Sequence, residues 1–229
     1  MPDRMRVAVL SLACAALLGV SAPAARAADA KWGWVEGSAG RWLSLPERRA
    51  GYTDNGISVE LALPPGTGVA YERDGRWKPS GASLAFAVDN VNFSGNEYRR
   101  GEAYFPASAT FVFGKDFLSL GIRKRIRIFF RELWDGFRPS GIRLTYAWGN
   151  HLPVGSMYRL WEEETVFIVA GPEEAGKRVT NSRDLLEDFR AAYDRAPKGP
   201  VTEVLVQAER PRGEKGTAHT SITVRFPEE

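Results

Sequence analysis

The sequence predicts a mostly β protein: an antiparallel β-sandwich, jelly-roll-like, with about eight strands and one or two α-helices packed on it. Apolar and polar residues alternate at period two along most of the chain, which indicates strands with one buried face. Turn residues separate these runs at the short spacings that sandwiches use. The 229 residues are 44% hydrophobic and 26% charged, which is typical of a folded globular protein and not of a disordered or membrane-spanning one.

The N-terminal segment has the three-part layout of a secretory signal peptide. Two arginines precede an apolar run over residues 7–20, and the small-residue sequence Ala25-Arg26-Ala27 follows it. This run is shorter than the roughly 20 residues that a bilayer-spanning helix needs. We therefore expect residues 1–27 to be a signal peptide cleaved near Ala27 and residues 28–229 to form a single exported domain, periplasmic or extracellular.

Charge and cysteine content exclude several classes of function. The only cysteine, Cys14, lies in the predicted signal peptide, so the mature protein would have neither disulfides nor thiol chemistry. The formal net charge of the whole chain is +3, and removing three arginines and one aspartate with the signal peptide leaves it nearly neutral. A nearly neutral exported domain is a poor candidate for binding nucleic acid, and we predict no such partner.

The strands are predicted in chain order from the alternating runs. The first run is apolar at every second residue from Ile57 to Leu63 and ends at Pro64-Pro65-Gly66. Residues 165–170 and 201–208 are apolar almost throughout, as expected for strands covered on both faces. A weaker pair lies around Val69–Tyr71 and Trp42. The remaining alternating runs cover residues 84–88, 107–113, 142–148 and 222–226.

One segment near the C-terminus breaks this rhythm and predicts a short helix. Leu185, Phe189 and Tyr193 recur at a spacing of four, which places them on one helix face. Asn181-Ser182 is a plausible N-cap, with Asp184 in the first turn, where a negative charge favours the positive end of the helix.

A second segment, residues 122–137, fits either a helix or a strand. At helical spacing its apolar residues other than Ile128 share one face and most of its basic residues lie outside that face, which favours a helix. Ile126, Ile128 and Phe130 would also alternate as a strand. As a helix, the segment could pack its apolar face into the core or lie on a membrane surface. The residues expected at such a membrane contact are Arg123, Lys124, Arg125, Arg127 and Trp134.

The order of motifs in the mature chain resembles the exported bacterial family known as domain of unknown function 3047. The resemblance covers about residues 82 to 226 and rests on a "leucine, x, tyrosine, x, tryptophan" strand and an "arginine, aspartate, x, x, x, aspartate, phenylalanine" helix. It implies an extracytoplasmic β-sandwich with no established activity. The segments that carry it are residues 84–88, 105–113, 144–148, 166–170 and 183–193.

The chain departs from this family where acidic residues would be expected. Gly101-Glu102-Ala103-Tyr104 replaces paired aspartates, and an arginine-containing turn over residues 209–217 replaces an aspartate-rich one. A hard cation needs several oxygen ligands, and Arg210 and Arg212 would oppose it. We therefore predict neither a metal nor any other cofactor.

Catalytic chemistry has few candidate residues. His151 follows a turn and His219 falls on the solvent side of the last strand, so neither fits a nucleophile–histidine pair. Asp184 and Asp188 could act as an acid and base pair on a glycan. A structural interpretation is favoured, in which Asp184 caps the helix and Asp188 receives an arginine from the sheet. We assign no catalytic residue.

Seven tryptophans suggest binding of sugar rings, because an exposed indole stacks on a pyranose while nearby polar groups bind its hydroxyls. The competing interpretation is that these tryptophans fill the core. The residues predicted for a ligand site are Trp148, Asn150, His151, Arg183, Asp184 and Asp188.

These observations predict an exported cell-envelope protein that binds envelope glycans or glycoconjugates without catalysis. One alternative is a carbohydrate-active hydrolase that uses Asp184, Asp188 or Glu102. Another is a peripheral protein that binds a membrane surface through residues 122–137. The sequence leaves the oligomeric state open.

Overall fold

The computed structural model describes residues 33–35, 47–53, 56–77, 80–90, 97, 104–114, 121–123, 125–126, 141–211 and 213–226. Twelve strands, one α-helix described over its whole length and one 3₁₀ helix, Pro172–Glu174, lie within these residues. The signal-peptide prediction and Trp42 lie outside them. The strands are β1 (Gly33–Val35), β2 (Glu47–Thr53), β3 (Gly56–Leu63), β4 (Gly68–Trp77), β5 (Gly81–Val88), β6 (Ser108–Phe113), β7 (Ile142–Trp148), β8 (Met157–Trp161), β9 (Glu164–Ala170), β10 (Arg178–Asp184), β11 (Val201–Glu209) and β12 (Ala218–Arg225), and the α-helix is α1 (Leu185–Tyr193).

The strands form two sheets. One has seven strands in the order β1-β4-β11-β6-β7-β9-β8, and the other has five in the order β10-β5-β12-β3-β2. Neighbours run antiparallel, except that β7 and β9 pair in parallel. Side-chain alternation does not report strand direction, so this parallel pair could not be seen in the sequence pattern.

The two sheets bury one shared core. Ile57, Val59 and Leu61 of β3 point inward while Ser58 and Glu60 point outward, as the period-two pattern predicts. The buried cluster joins residues of the five-stranded sheet with residues of the seven-stranded sheet, so the sheets pack face to face. The predicted mostly β sandwich is confirmed, with more strands than the eight expected.

The strands that the sequence did not reveal lie mainly at sheet edges. β10 reads Arg-Val-Thr-Asn-Ser-Arg-Asp and has a single apolar residue, Val179, so it gives no hydrophobic period. β8 also lies at a sheet edge, and its first residue, Met157, is 47% exposed. Edge strands need less apolar surface because one side faces solvent, and their sequences are correspondingly harder to recognise.

Helix α1 closes the sandwich between the two sheets. Leu185 and Phe189 are fully buried and Tyr193 packs beside them, as the spacing of four predicts. Phe189 meets Phe113 of the seven-stranded sheet with ring centroids 4.6 Å apart. The helix follows directly from β10 in the five-stranded sheet, so it connects both layers. The helix ends at Asp194, which takes a left-handed conformation with φ of 54°.

The prediction that Asn181-Ser182 caps α1 was wrong, whereas the alternative cap at Asp184 is confirmed. Asn181 and Ser182 belong to β10, where Asn181 donates from Nδ2 to the carbonyl oxygen of Val169 at 3.1 Å. The cap is Asp184, whose Oδ1 accepts the N–H groups of Leu186 and Glu187 at 2.9 and 3.0 Å. An aspartate at the end of an extended strand satisfies two N–H groups that the helix itself cannot, so the helix begins there.

Only the start of the predicted segment 122–137 is described. Residues 122–123 and 125–126 are helical, and the N–H of Arg125 donates to the carbonyl oxygen of Gly121 at 3.1 Å. Ile122 is 61% exposed and Ile126 is 36% exposed, so these two side chains are not in the core. Lys124, Arg127 and Trp134 lie outside the described residues. No helix among the described residues is long and apolar enough to cross a membrane.

Candidate functional site

Two of the predicted site residues, Arg183 and Asp188, meet at the start of α1, where they form an anchoring cluster with Tyr146. Arg183 of β10 donates two hydrogen bonds to Asp188 of α1, Nε to Oδ2 at 2.9 Å and Nη2 to Oδ1 at 2.5 Å. The hydroxyl of Tyr146 in β7 donates to Oδ2 of Asp188 at 2.7 Å. The Arg183 guanidinium also lies over the rings of Tyr146 and Phe167, at 5.4 and 5.5 Å from their centroids.

The electrostatics of this cluster keep Tyr146 and Arg183 each in one protonation state. Burial, followed by the charge and hydrogen bond of Asp188, raises the pKa of Tyr146 well above its usual value. Burial acts to lower the pKa of Arg183, but the hydrogen bond and charge of Asp188 outweigh it and leave that pKa raised. Tyr146 is therefore a neutral donor and Arg183 a permanent cation, and both stabilise the Asp188 carboxylate.

The two aspartates proposed as an acid and base pair are both engaged in structural bonds. Asp184 precedes α1 as its cap, so the pair does not share a helix face. Asp188 is buried and accepts three side-chain hydrogen bonds, from Arg183 and Tyr146. The geometry matches the structural interpretation of the sequence, in which the pair holds α1 on the sheets. Glu102, the third candidate acid, lies outside the described residues.

The other three predicted site residues follow β7. The Trp148 side chain is fully buried in the core, so its ring presents no face to a sugar, which corrects the stacking role that we expected. Asn150 is also buried, and its amide donates to the carbonyl oxygen of Tyr104 at 2.8 Å. Of these three residues, only His151 is exposed. Because Trp148, Asn150 and Asp188 are all buried, the six predicted residues do not form one open site.

The loop after β7 is held by a residue that the sequence analysis missed. Glu97 is almost fully buried, and its Oε1 accepts the N–H groups of both Asn150 and His151, the latter at 2.8 Å. Glu97 is far from this loop in the sequence and belongs to no periodic run, so no sequence signal could have paired them. The bonds indicate that Asn150 is part of the loop scaffold.

The five-stranded sheet carries an open groove on the face turned away from the core. Its volume is about 610 Å³, and we call it the outer groove. The residues that line it come from β3, β5, β12 and the turn before β10: Glu60, Leu61, Ala62, Ala87, Val88, Asp89, Gly176, His219, Thr220 and Ser221.

The strand register arranges the outward side chains of the outer groove as a grid. In one row Ser221 of β12 stands between Ala87 of β5 and Glu60 of β3. In the next row His219 stands beside Ala62, with Asp89 on its other side. Hydrogen-bonding side chains therefore alternate with methyl groups over a small area.

Backbone bonds fix the Asp89 corner of the outer groove. The N–H of His219 donates to Oδ1 of Asp89 at 2.5 Å, and the N–H of Asp89 donates to the carbonyl oxygen of His219 at 3.0 Å. Asn90 donates from Nδ2 to the carbonyl oxygen of Thr217 at 3.0 Å. These bonds tie the end of β5 to the beginning of β12, so the corner is pre-organised.

A buried arginine lies near this corner. Arg210 is 2% exposed and donates from Nη2 to the carbonyl oxygen of Lys215 at 2.7 Å. Burial lowers the pKa of Arg210, although the carboxylates of Glu214 and Asp89 act in the opposite direction. Arg210, one of the arginines in the turn over residues 209–217, therefore lies near the acidic groups of Glu214 and Asp89.

The residues beside the outer groove bond with one another. Arg178 of β10 donates from Nη2 to Oγ1 of Thr223 in β12 at 2.9 Å, although β5 lies between these strands. Alanines on β5, Ala85 and Ala87, leave the space that this side chain crosses. Ser58 and Thr223 share a hydroxyl hydrogen bond of 3.0 Å. Arg178 thus stands in the same row as Ala87, Ser221 and Glu60, but its guanidinium is engaged at Thr223 in the next row.

Among the described residues, no group of three or more His, Cys, Asp or Glu side chains is placed to hold a metal ion. The absence of a metal or cofactor stays a prediction from the sequence.

Comparison with known proteins gives a family and no activity. None of the curated proteins compared with the chain matches it. A family model described as a protein of unknown function, DUF3047, matches residues 83–218, which is more than half of the chain. The match spans β5 to the first residue of β12, and so includes α1 and the anchoring cluster. The chain therefore belongs to the DUF3047 family.

Proposed function

We propose that this protein is an exported, non-catalytic protein of the cell envelope that binds glycans in the outer groove. The observation that carries the proposal is the groove itself, an open cavity of about 610 Å³ on a rigid sheet face. Glu60, His219 and Ser221 offer acceptors and donors for sugar hydroxyls, and Ala62 and Ala87 let a ring approach closely.

Binding is favoured over catalysis because Asp184 and Asp188, two of the three candidate acids, are engaged in structural bonds. Asp188 is bonded to Arg183 and Tyr146, and Asp184 caps α1. A general acid needs a proton that it can exchange with substrate. Asp188 is buried beneath the groups that it binds, and Asp184 serves backbone N–H groups.

Export is supported by the N-terminal sequence, which has a basic start, a short apolar run and small residues near Ala27. Expression in a bacterial host followed by cell fractionation tests it. We expect the protein outside the cytoplasm, with a mature N-terminus at residue 28 by mass spectrometry. A full-length chain that stays in the cytoplasm would contradict the proposal.

Glycan binding is tested with a glycan array followed by isothermal titration calorimetry. The variant Ser221→Trp fills the centre of the outer groove, and we expect it to abolish binding. Thr180→Trp places the same indole on the outward face of β10, away from the groove lining, and should leave binding unchanged. An array without binding, or equal binding by both variants, would contradict the proposal.

Turnover is measured on the glycans that bind. We expect no new reducing ends over prolonged incubation. Hydrolysis abolished by Ser221→Trp would show that the outer groove is an active site and would favour the hydrolase alternative.

A second candidate function, contact with a membrane surface, is supported by the exposed helical residues Ile122, Arg123 and Ile126. Ile122 and Ile126 are exposed one turn apart, and Arg123 beside them is exposed as well. Apolar side chains flanked by arginine are typical of helices that lie in the interface of anionic bilayers.

Sedimentation with vesicles containing anionic lipid tests this second function. We expect Ile122→Ser combined with Ile126→Ser to reduce bound protein severalfold. Val154→Ser removes an aliphatic side chain that is also exposed, at 52%, and serves as the matched control. Equal sedimentation of the control and the double variant would refute the membrane contact.

A further inference from the structure

The charges of the outer groove narrow the class of ligand. On the basis of the proposed function, we infer that the outer groove selects saccharides with a free amino group and that the ammonium group binds Glu60. Three features of the groove support this selectivity: its lining, the register of its strands and the accessibility of its two carboxylates.

Among the described side chains that line the outer groove, every charged group is negative. Glu60 and Asp89 are its acidic residues, and none of the described lining residues is lysine or arginine. Carboxylates lose hydration when a ligand covers them, and a neutral sugar compensates for this loss only with hydrogen bonds. An ammonium group adds a favourable charge interaction with the carboxylates, whereas a uronic acid or a phosphate would be repelled by them.

The register places the two carboxylates at opposite corners of the groove. Glu60 lies in the row of Ser221 on β3, and Asp89 lies in the row of His219 at the end of β5. With neighbouring strands about 4.8 Å apart and a rise of about 3.4 Å per residue, their Cα atoms are roughly 12 Å apart. One or two sugar rings fit between them, over His219 and Ser221.

The two corners differ in how much charge they offer to a ligand. Asp89 already accepts the N–H of His219 and acts on the buried cation Arg210. Glu60 is exposed, and no described hydrogen bond or ion pair occupies its carboxylate. Arg49 of β2 stands opposite Glu60 in the strand register, and its side chain lies outside the described part of the structure. A ligand cation therefore gains more binding free energy at Glu60 than at Asp89.

Two tetrasaccharides that differ only in acetylation test the inference, one of glucosamine and one of N-acetylglucosamine. Titration calorimetry at a pH below the pKa of the amines measures both. We expect the glucosamine form to bind at least about tenfold more tightly and to weaken as salt is added. Glu60→Gln keeps the shape of the side chain and should remove this preference. Glu187→Gln, an exposed carboxylate on α1, should leave it intact.

The outcomes separate the inference from the proposed function. If both tetrasaccharides bind equally and Ser221→Trp abolishes both, the groove binds glycans and the preference for amines is wrong. If Glu60→Gln binds glucosamine as the wild type does, the assignment of Glu60 is wrong. If no glycan of the array binds, acidic or basic, the proposed function fails together with the inference.

Discussion

The outward polar residues of the two sheets differ in how far they are buried. In the seven-stranded sheet, β6 and β7 are buried at every position, and the outward polar side chains bond to one another. The hydroxyls of Thr110 and Thr145 are 2.9 Å apart, Thr145 donates to Glu164 at 3.0 Å, and Arg143 pairs with Glu164 at 3.4 Å. In the five-stranded sheet, by contrast, Glu60 and His219 face solvent.

Because of this difference, the outward residues of the seven-stranded sheet contribute to stability, and those of the five-stranded sheet are available for ligand binding. A polar network that is buried and internally bonded holds its own sheet together and offers little to a ligand. An outward face with exposed carboxylate, imidazole and hydroxyl groups can exchange water for a ligand. Substitutions in and around the buried sheet should therefore lower stability, and substitutions on the open face should change binding at nearly constant stability.

The largest loss is expected for Trp148→Ala. Removing a fully buried indole from β7 leaves a cavity in the shared core, and we expect the free energy of unfolding to fall by about 4 kcal/mol. Urea denaturation followed by circular dichroism measures it. Met157→Ala, at an edge strand and 47% exposed, should cost under about 1 kcal/mol. A loss of less than about 1 kcal/mol for Trp148→Ala would mean that its ring is not packed.

A somewhat smaller loss is expected for Asp188→Ala. The substitution leaves Arg183 and the Tyr146 hydroxyl without their shared acceptor, and we expect a loss of about 3 kcal/mol. Asp184→Ala removes only the helix cap and should cost about 1 kcal/mol. Chemical denaturation of both variants gives the order. A smaller loss for Asp188→Ala than for Asp184→Ala would contradict the anchoring cluster.

Alkaline pH should destabilise the region around α1. Burial raises the pKa of Tyr193 to about 12 from 10.0, and its hydroxyl donates to the carbonyl oxygen of Arg143 at 2.7 Å. Because the folded pKa exceeds the unfolded one, this stabilisation is complete below pH 10 and is lost as pH rises from 10 towards 12. We expect the loss to reach about 2 kcal/mol. Urea titrations at increasing pH should show a smaller decline for Tyr193→Phe than for the wild type, and identical declines would refute the assignment.

The smallest effect is expected on the open face. Arg178→Ala removes the bond to Thr223 from an exposed side chain, and we expect the free energy of unfolding to change by no more than about 0.5 kcal/mol. The same denaturation series measures it. A loss comparable with that of Asp188→Ala would show that the outward polar residues of the five-stranded sheet also act structurally, and the contrast between the sheets would fail.

Local pattern was enough to predict most of the sandwich. The inward residues of β3, β5, β6, β7 and β12 and the buried face of α1 follow directly from periods of two and about four. The polar strand β10 gave no such signal, since pairing with β5 and not apolar burial makes it a strand. The parallel pairing of β7 with β9 depends on chain path, which alternation does not record.

The candidate site was harder to predict than the fold. The structural role of Asp184 and Asp188 could be inferred, because a cap and an ion pair follow from spacing and charge within one short segment. The outer groove joins Glu60, Asp89 and His219, which are far apart in sequence and become neighbours only through the register of three strands. Glu97 reaches the loop after β7 in the same non-local way.

The strand order also has a consequence for how the chain folds. β11 lies between β4 and β6, and β12 lies between β5 and β3, so the last two strands occupy inner places in both sheets. Until residues 201–225 are available, the edges of the strands on either side have no partner, and neither sheet can close. Folding must then wait for contacts between distant parts of the chain, which favours slow, late and concerted assembly. A chain that stops near residue 200 would expose unpaired strand edges and tend to aggregate.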